Sequence, residues 1–160
     1  MDEVVRIGIA EYAVSQKPII LRTAGLGSCV GVIIYDQERG LSSMAHVMLP
    51  DSTISRNIAL EIGKFADTAV VELARRLRQS GAIRLRAKIA GGAQMFQFKY
   101  EHESMRIGER NIAAVKLALR KANVPLVAED VGGTNGRTIE FHSQTGRLVI
   151  RTVNVGTLEI

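Results

Sequence analysis

Two apolar runs separated by one short polar turn constrain the fold more than any other feature of this sequence. Val30–Tyr35 (VGVIIY) is rich in β-branched residues, and Leu41–Leu49 (LSSMAHVML) follows the turn Asp36–Gly40 (DQERG) and ends at Pro50. Apolar runs of this length that are bounded by turn residues are typical of β-strands. The segment therefore predicts a β-hairpin built on a buried strand.

Around this hairpin the hydrophobic period changes between that of strands and that of helices. One helix is predicted from about Ile58 to a stop at Gly81, and a second from about Arg110. The other predicted strands are Val4–Ile9, Ile83–Ile89, Leu126–Glu129, Arg137–His142 and Leu148–Val153, the last two joined by the hairpin loop SQTG. Two helices and roughly six strands in mixed order predict an α+β layered sandwich of mixed β-sheets. The length of 160 residues, without a linker or repeat, favours a single domain over residues 1–160.

The composition argues for a cytoplasmic protein without membrane insertion. No apolar run approaches the roughly 20 residues that a membrane-spanning helix needs, and the N-terminus lacks a signal-peptide pattern. The chain has one cysteine, Cys29, which cannot form an internal disulfide. A lone thiol agrees with a reducing compartment.

The formal net charge is +5, and the densest basic segment, Arg75–Lys88, has six positive residues and no acidic one. A basic patch is one signature of nucleic-acid binding. Here, however, apolar and basic residues alternate over Ile83–Ile89, which is typical of a strand with one wet face. The preceding arginines fit the last turn of a helix, where cations suit the helix dipole. Since no aromatic residues are interleaved to stack bases, we expect no nucleic-acid partner.

The hairpin brings the single cysteine close to a histidine. If its loop is Asp36–Arg39, Tyr35 faces Gly40 and Cys29 faces His46 on the same side of the sheet. Directly opposed side chains are close enough for a thiol and an imidazole to share a proton. A loop longer by one residue would turn the histidine to the other face. The pair predicts a nucleophilic cysteine with histidine as general base and acid.

The residues that precede the cysteine fit a nucleophile. Gly25 and Gly27 carry no side chains that would block a substrate, and backbone N–H groups at Gly27 and Ser28, next to Cys29, are candidate donors to an oxyanion. A structural role is the alternative, because a lone cysteine among apolar residues often only fills space in the core. A lone histidine in an apolar strand is likewise often a hydrogen-bonded core residue.

Other catalytic and metal-binding patterns are weaker. His102 lies in the polar segment KYEHES and His142 at a strand end. No clustered ligands predict a metal site, and no cofactor is expected. The absence of papain-like cysteine signatures disfavours a cysteine protease.

The two hairpin segments resemble a known family. TAGLGSCVGVIIYD and MAHVMLPDS are similar to the opening signature of the CheD family, the bacterial chemoreceptor glutamine deamidases. The likeness continues in order through KFADTAV, AKIAGGAQMF, IGERNI and EDVGGTNGRTIEFHSQTGRLVIR, and covers nearly the whole chain.

The resemblance implies a cytoplasmic enzyme that converts selected glutamines of methyl-accepting chemotaxis receptors to glutamate, in some members with methylesterase activity. At the matched positions Cys29 is the nucleophile, His46 the general base and acid, and Thr23 the residue that orients the histidine. The family's layered sandwich needs no metal or organic cofactor, and its members often partner CheC, a response-regulator phosphatase. The alternative is a non-catalytic adaptor that binds receptors or CheC and modulates signalling.

Three features depart from the family pattern. Ala24 stands where a larger apolar residue is common, and the tail TVNVGTLEI lacks a lysine before its glycine. The segment Lys99–Met105 looks variable, so residues that face a partner are not carried over there.

Overall fold

The computed structural model of the chain describes residues 3–54, 61–95 and 106–160. Within them the strands β1 to β10, in chain order, are Glu3–Arg6, Tyr12–Ser15, Ile19–Leu26, Val30–Asp36, Leu41–Val47, Arg86–Gly91, Leu126–Val131, Arg137–His142, Arg147–Thr152 and Gly156–Glu159. The two α-helices are α1, Ala66–Gln79, and α2, Ile107–Lys121. Short 3₁₀ turns occupy Ser52–Ile54 and Ile62–Lys64.

The strands form two mixed five-stranded sheets. The first sheet has the order β1-β3-β8-β9-β10 and the second the order β2-β5-β4-β6-β7. Both helices pack on one face of the second sheet, over a core that includes Val32, Val70, Leu73 and Leu119. The other face of that sheet meets the first sheet in a second apolar cluster, called here the inter-sheet cluster. Its buried members are Ile7, Ile19, Leu21, Leu26, Ile33, Tyr35, Met44, Ala90, Ile139, Phe141, Leu148 and Ile150.

The predicted α+β layered sandwich is therefore confirmed, and the layers explain the two apolar runs. Strands β4 and β5 are buried along their whole length because helices cover one face and the first sheet covers the other. Strands that are covered on both faces need apolar residues at nearly every position rather than at alternate ones. The described residues contain no helix that is both long and apolar enough to cross a membrane.

The predicted register of the hairpin was wrong by two residues, because Tyr35 was expected to face Gly40. Asp36 pairs with Leu41 and Tyr35 with Ser42, so the loop is 37–40 rather than Asp36–Arg39. Gly40 has φ +66°, a left-handed conformation that favours glycine and belongs to the loop, not to the strand. The Asp36 carboxylate anchors this end of β4 to the segment before β6, because it accepts hydrogen bonds from the N–H groups of Ile83 and Arg84 at 2.9 and 3.1 Å.

Three strands were not predicted, and each lacks a clear alternating pattern. β2 has four residues and lies at the edge of the second sheet, and β10 is exposed at all four positions at the edge of the first. β3 contains Arg22 and Gly25, and its pairing with β8 is irregular between Thr23 and Leu26. Strands β7 and β8 begin where they were predicted, and β8 has both predicted ends.

The first helix begins later than its periodicity suggests. The residues 64–66 are held against the end of β5, since the carbonyl of Lys64 accepts the N–H groups of Met48 and Leu49, and the N–H of Ala66 donates to Leu49. These bonds keep Phe65 extended, so α1 starts at Ala66. The predicted start near Ile58 lies outside the described residues. α2 begins at Ile107, three residues before its predicted start.

The basic segment Arg75–Lys88 only partly forms the predicted strand with one buried and one solvent-exposed face. Ile83, expected on the buried side, is 77% exposed because β6 starts only at Arg86. Lys88, expected on the wet side, is buried, and its Nζ donates to the carbonyls of Gly146 and Ile160 at 2.6 and 2.9 Å. As predicted, basic residues do occupy the last turn of α1.

Candidate active site

His46 lies near the end of β5 and points between the two sheets. It pairs with Gly31 of β4 and is completely buried. A β-carbon on Gly31 would lie 2.5 Å from Ile139 Cδ1, which shows that this side of the strand faces the inter-sheet cluster. The missing side chain at Gly31 therefore leaves the space in which the imidazole and the first sheet meet.

A hydroxyl from the first sheet holds the imidazole. Thr23 Oγ1, on β3, lies 2.7 Å from His46 Nδ1 and donates its hydrogen to the carbonyl of Ile7 at 2.6 Å. Since the hydroxyl has only one hydrogen, it must accept from Nδ1, and the ring therefore carries its proton there. This assignment leaves Nε2 unprotonated. Nε2 is buried and has no hydrogen-bond partner among the described residues.

Cys29 lies one residue before β4, on the same side of the sheet as His46. Its half-buried side chain packs against the inter-sheet cluster. Because Gly31 faces His46, continuing the register places Cys29 diagonally from the histidine. The predicted position of Cys29, directly opposite His46, was therefore wrong. Diagonal neighbours are about 7–8 Å apart between α-carbons and remain within reach of longer side chains. The sulfur does not hydrogen-bond to Nε2 in this structure, which is common in enzymes without bound substrate.

Burial favours the uncharged forms of both groups. It raises the pKa of the Cys29 thiol, although the residue's own backbone N–H favours the thiolate and opposes the rise. It lowers the pKa of His46. At neutral pH the resting pair is therefore a neutral thiol and a neutral imidazole, not the thiolate and imidazolium of many cysteine enzymes.

The loop that carries the cysteine is held by its carbonyl groups. The carbonyls of Gly27 and Cys29 accept the N–H groups of Ala93 and Gly92, both at 2.8 Å. Gly91 allows this contact, because a β-carbon there would lie 2.4 Å from the Cys29 carbonyl oxygen and its φ is +114°. The loop is thus fixed against the end of β6 without using its own side chains.

The remaining carbonyl of this loop is bound by a side chain that sequence reasoning missed. Asn111 Nδ2, on α2, donates to the carbonyls of Ser28 and Met48, each at 2.9 Å. Asn111 is completely buried, in line with Val115 and Leu119 on the apolar face of the helix. A polar residue at helical spacing within an apolar stripe is the signal that could have identified it.

The candidate oxyanion donors differ in availability. The Gly27 N–H donates to the carbonyl of Gly25 at 3.1 Å, whereas the N–H groups of Ser28 and Cys29 donate to no backbone carbonyl of the described residues. The Cys29 N–H does favour the thiolate of its own side chain. Gly25 has open space around it, but the thioether of Met95 lies against Gly27. Met95 is half exposed, and its place beside the Gly27–Cys29 loop was not revealed by the sequence.

The other candidates do not join this site. His142 ends β8 on the first sheet, where its Nε2 lies 3.6 Å from Glu140. His102, and the whole of Lys99–Met105, lie outside the described residues. Within residues 3–54, 61–95 and 106–160 no group of three or more histidine, cysteine, aspartate or glutamate side chains could hold a metal ion.

The basic segment is largely engaged in contacts within the chain. Arg75 pairs with Glu72, and Arg84 Nη1 lies 3.6 Å from Glu38. Arg78 donates to the carbonyl of Ala122 at 2.7 Å. Exposed pairs of this kind leave less free positive charge than the sequence count suggests.

Comparison with known proteins identifies the family. The family described as CheD chemotactic sensory transduction matches residues 48–152. Over 162 aligned residues, covering 100% of both chains, the sequence is 52% identical to the chemoreceptor glutamine deamidase CheD of Halalkalibacterium halodurans. It is 46% identical to the protein of the same name in Bacillus subtilis, over 96% of this chain and 93% of that one. It is also 52% identical to a probable chemoreceptor glutamine deamidase CheD of Geobacillus kaustophilus, over 94% and 93% of the two chains. This chain belongs to the CheD family.

Proposed function

We propose that this protein is a chemoreceptor glutamine deamidase that hydrolyses glutamine side chains of receptor proteins to glutamate. Relatives of this name cover the whole chain at about half identity, which supports the substrate class. We place the reaction at Cys29, with His46 as general base and acid and Thr23 as the residue that orients the imidazole. We also propose a cytoplasmic location, where a free thiol stays reduced.

One observation carries the assignment of the base. Thr23 accepts from Nδ1 and so leaves the lone pair of His46 Nε2 free, on the side of the sheet where Cys29 lies. A buried nitrogen without a hydrogen-bond partner destabilises the fold by about 1–3 kcal/mol, and a functional role would explain why this cost is retained. Taking the thiol proton during attack on an amide supplies that role.

The first half of the reaction forms a thioester. Cys29 Sγ attacks the δ-carbon of the glutamine while its proton moves to His46 Nε2, and the carbonyl electrons move onto oxygen. The N–H groups of Ser28 and Cys29, which donate to no backbone carbonyl of the described residues, are the donors that we assign to this oxyanion. Collapse of the adduct breaks the C–N bond, and Nε2–H gives its proton to the leaving nitrogen, which departs as ammonia.

The second half releases glutamate. Water attacks the thioester carbon and gives one proton to His46 Nε2, and collapse breaks the C–S bond. The proton then returns to the sulfur, which restores the neutral thiol and imidazole. A glutamate methyl ester would pass through the same thioester with methanol as leaving group, so methylesterase activity is part of the proposal.

Intact mass of a receptor cytoplasmic fragment tests the proposal. Incubation with the protein should raise the mass of the fragment by about one dalton per site, because NH₂ is exchanged for OH. Cys29→Ala should fold and produce no change, since it lacks the nucleophile. Undiminished mass change with Cys29→Ala would sink the assignment of the nucleophile, and no change with the unaltered protein would sink the deamidase function.

CheC is a proposed second partner, on the strength of the family resemblance. A non-catalytic adaptor that binds receptors or CheC would make the same contacts without chemistry. Cells that carry Cys29→Ala in place of the unaltered protein separate the two functions. Restored receptor signalling in those cells would favour the adaptor, whereas loss of signalling with normal protein levels supports the enzyme.

A further inference from the structure

We infer that Asn111 is the positioning residue of the proposed reaction: its side-chain amide holds the Ser28–Cys29 peptide so that the Cys29 N–H faces the oxyanion. This inference rests on the proposed function. Asn111 itself is completely buried and is not placed to touch a substrate. It acts through the backbone of the loop that carries the nucleophile.

The geometry of a trans peptide makes the link. The carbonyl oxygen of Ser28 and the N–H of Cys29 belong to one planar unit and point in opposite directions. Asn111 Nδ2 holds that oxygen at 2.9 Å, on the side of α2. The N–H must therefore point away from the helix, and its favourable effect on the thiolate of the same residue agrees with this. An oxyanion formed on the carbon that the sulfur attacks would lie within its reach.

The same amide also connects the nucleophile to the base. Its second hydrogen bond, at 2.9 Å, goes to the carbonyl of Met48, two residues after His46. The hairpin register ends at the pair Val30 and Val47, and its continuation by one residue places Met48 opposite Cys29, so Asn111 bridges the open end of the hairpin. One side chain thereby sets the separation of the two strands where the thiol and the imidazole must meet.

The carbonyl oxygen of the Asn111 side chain, Oδ1, indicates that the residue is required for its two N–H donors and not for its acceptor. Asn111 Oδ1 is buried and has no hydrogen-bond partner among the described residues. A buried acceptor without a partner destabilises a fold, a penalty that an apolar residue would avoid. The amide is the smallest side-chain group that carries two hydrogens on one neutral nitrogen, as two carbonyl acceptors require.

Asn111→Asp and Asn111→Ala test the inference through two readouts. The aspartate keeps the shape but replaces both donors by a carboxylate, and the alanine removes the group. On the receptor fragment we expect kcat to fall at least tenfold with KM changed less than twofold, because losing one oxyanion donor typically lowers kcat by about 10²–10³. Alkylation of Cys29 by iodoacetamide should shift to higher pH, since the N–H that stabilises the thiolate is no longer held.

Asp36→Ala is the matched control. Asp36 is also buried and its carboxylate also binds backbone groups, those of Arg39, Ile83 and Arg84, but it lies at the other end of β4. The Asp36→Ala substitution should lower the thermal stability and leave kcat and the alkylation profile unchanged below the melting temperature. If both Asn111 variants keep a normal kcat and a normal alkylation profile, or if Asp36→Ala lowers kcat equally, Asn111 has only a structural role.

Two further outcomes keep the test decisive. Alkylation does not depend on the substrate, so a shifted profile in a protein that fails to deamidate would refute the proposed function and retain the positioning role. If neither Asn111 variant folds, hydrogen exchange in the unaltered protein decides. Slow exchange of the Asn111 side-chain NH₂ protons is expected when both are bound and buried, and exchange as fast as in a free amide would overturn the inference.

Discussion

Thr23 and His46 lie in different sheets, and their side chains meet at 2.7 Å across the interface between them. The imidazole is therefore oriented by tertiary packing and not by a neighbour in its own strand. The second bond of the hydroxyl, to the carbonyl of Ile7, determines which ring nitrogen carries the proton.

Replacing Thr23 by valine should reduce turnover without abolishing it. Valine keeps the shape but removes the acceptor for Nδ1–H and leaves the carbonyl of Ile7 unpaired. We expect a fall in kcat of about 10- to 100-fold, less than the loss of at least about a hundredfold expected for His46→Ala. Initial rates on the receptor fragment provide the measurement. Thr23→Ser, which keeps the hydroxyl, should retain most of the activity, and inactivity equal to that of Cys29→Ala would refute the orienting role.

The pH dependence of activity should show that the Cys29 thiol and the His46 imidazole are both uncharged in the resting protein. The pKa of His46 is lowered and that of Cys29 is raised, so activity should be level near neutral pH and fall only below pH 6.5, where the base becomes protonated. The rate of iodoacetamide alkylation should be slow at pH 7 and rise at alkaline pH, as the thiolate forms. Glutathione serves as the free-thiol reference. Faster alkylation than glutathione at pH 6 would instead indicate a preformed thiolate and imidazolium.

The buried histidine should also make stability depend on pH. The folded protein keeps His46 neutral below its ordinary pKa of 6.5, whereas the unfolded chain takes up a proton there. The free energy of unfolding should therefore fall as the pH drops from 6.5 toward the folded pKa, with a slope of at most about 1.4 kcal/mol per pH unit from this group. Urea unfolding from pH 5 to 8 measures it. His46→Asn lacks the group, so a difference between the two proteins that stays constant with pH would contradict this.

A side chain at Gly31 should disturb the packing between the sheets. The β-carbon of alanine would lie 2.5 Å from Ile139 Cδ1 and 3.3 Å from Leu26 Cδ1, opposite His46. We expect Gly31→Ala to lower the free energy of unfolding by about 1–3 kcal/mol. Gly136→Ala is the control, because its nearest contact is 3.7 Å away, and it should change stability by less than about 0.5 kcal/mol. Equal stability of the two variants would show that the interface yields to the methyl group.

The sequence predicted the face of the candidate site more reliably than its register. His46 pairs with Gly31 instead of Cys29, but Gly31 and Cys29 are two residues apart, so the cysteine and the histidine still share one side of the sheet. The misplaced loop arose because Asp36 was read as a turn residue, whereas its carboxylate binds Ile83 and Arg84 from another segment. Such long-range bonds leave no mark in a local pattern.

The residues around the pair were harder to find for the same reason. Residue patterns alone did not place Thr23 in a strand, because Arg22 and Gly25 hide the alternation of β3; only the family resemblance named it. Asn111 lies 83 residues from Ser28 in the chain, and only the packing of α2 against the second sheet brings them together. Periodicity predicts which face of a helix is buried, but not which backbone carbonyl a single polar side chain on that face will reach.

The Gly27–Cys29 loop is held through its backbone carbonyl groups, and this affects which amino-acid substitutions the loop tolerates. Every residue brings the same carbonyl group, so the amino acid at position 28 can vary while the curve of the chain stays the same. The groups that hold the loop in this conformation lie outside it, at the glycine-rich end of β6 and in the side-chain amide of Asn111 on α2. Efforts to retune the reactivity of the thiol should therefore begin with those distant supports and not with its immediate neighbours in the chain.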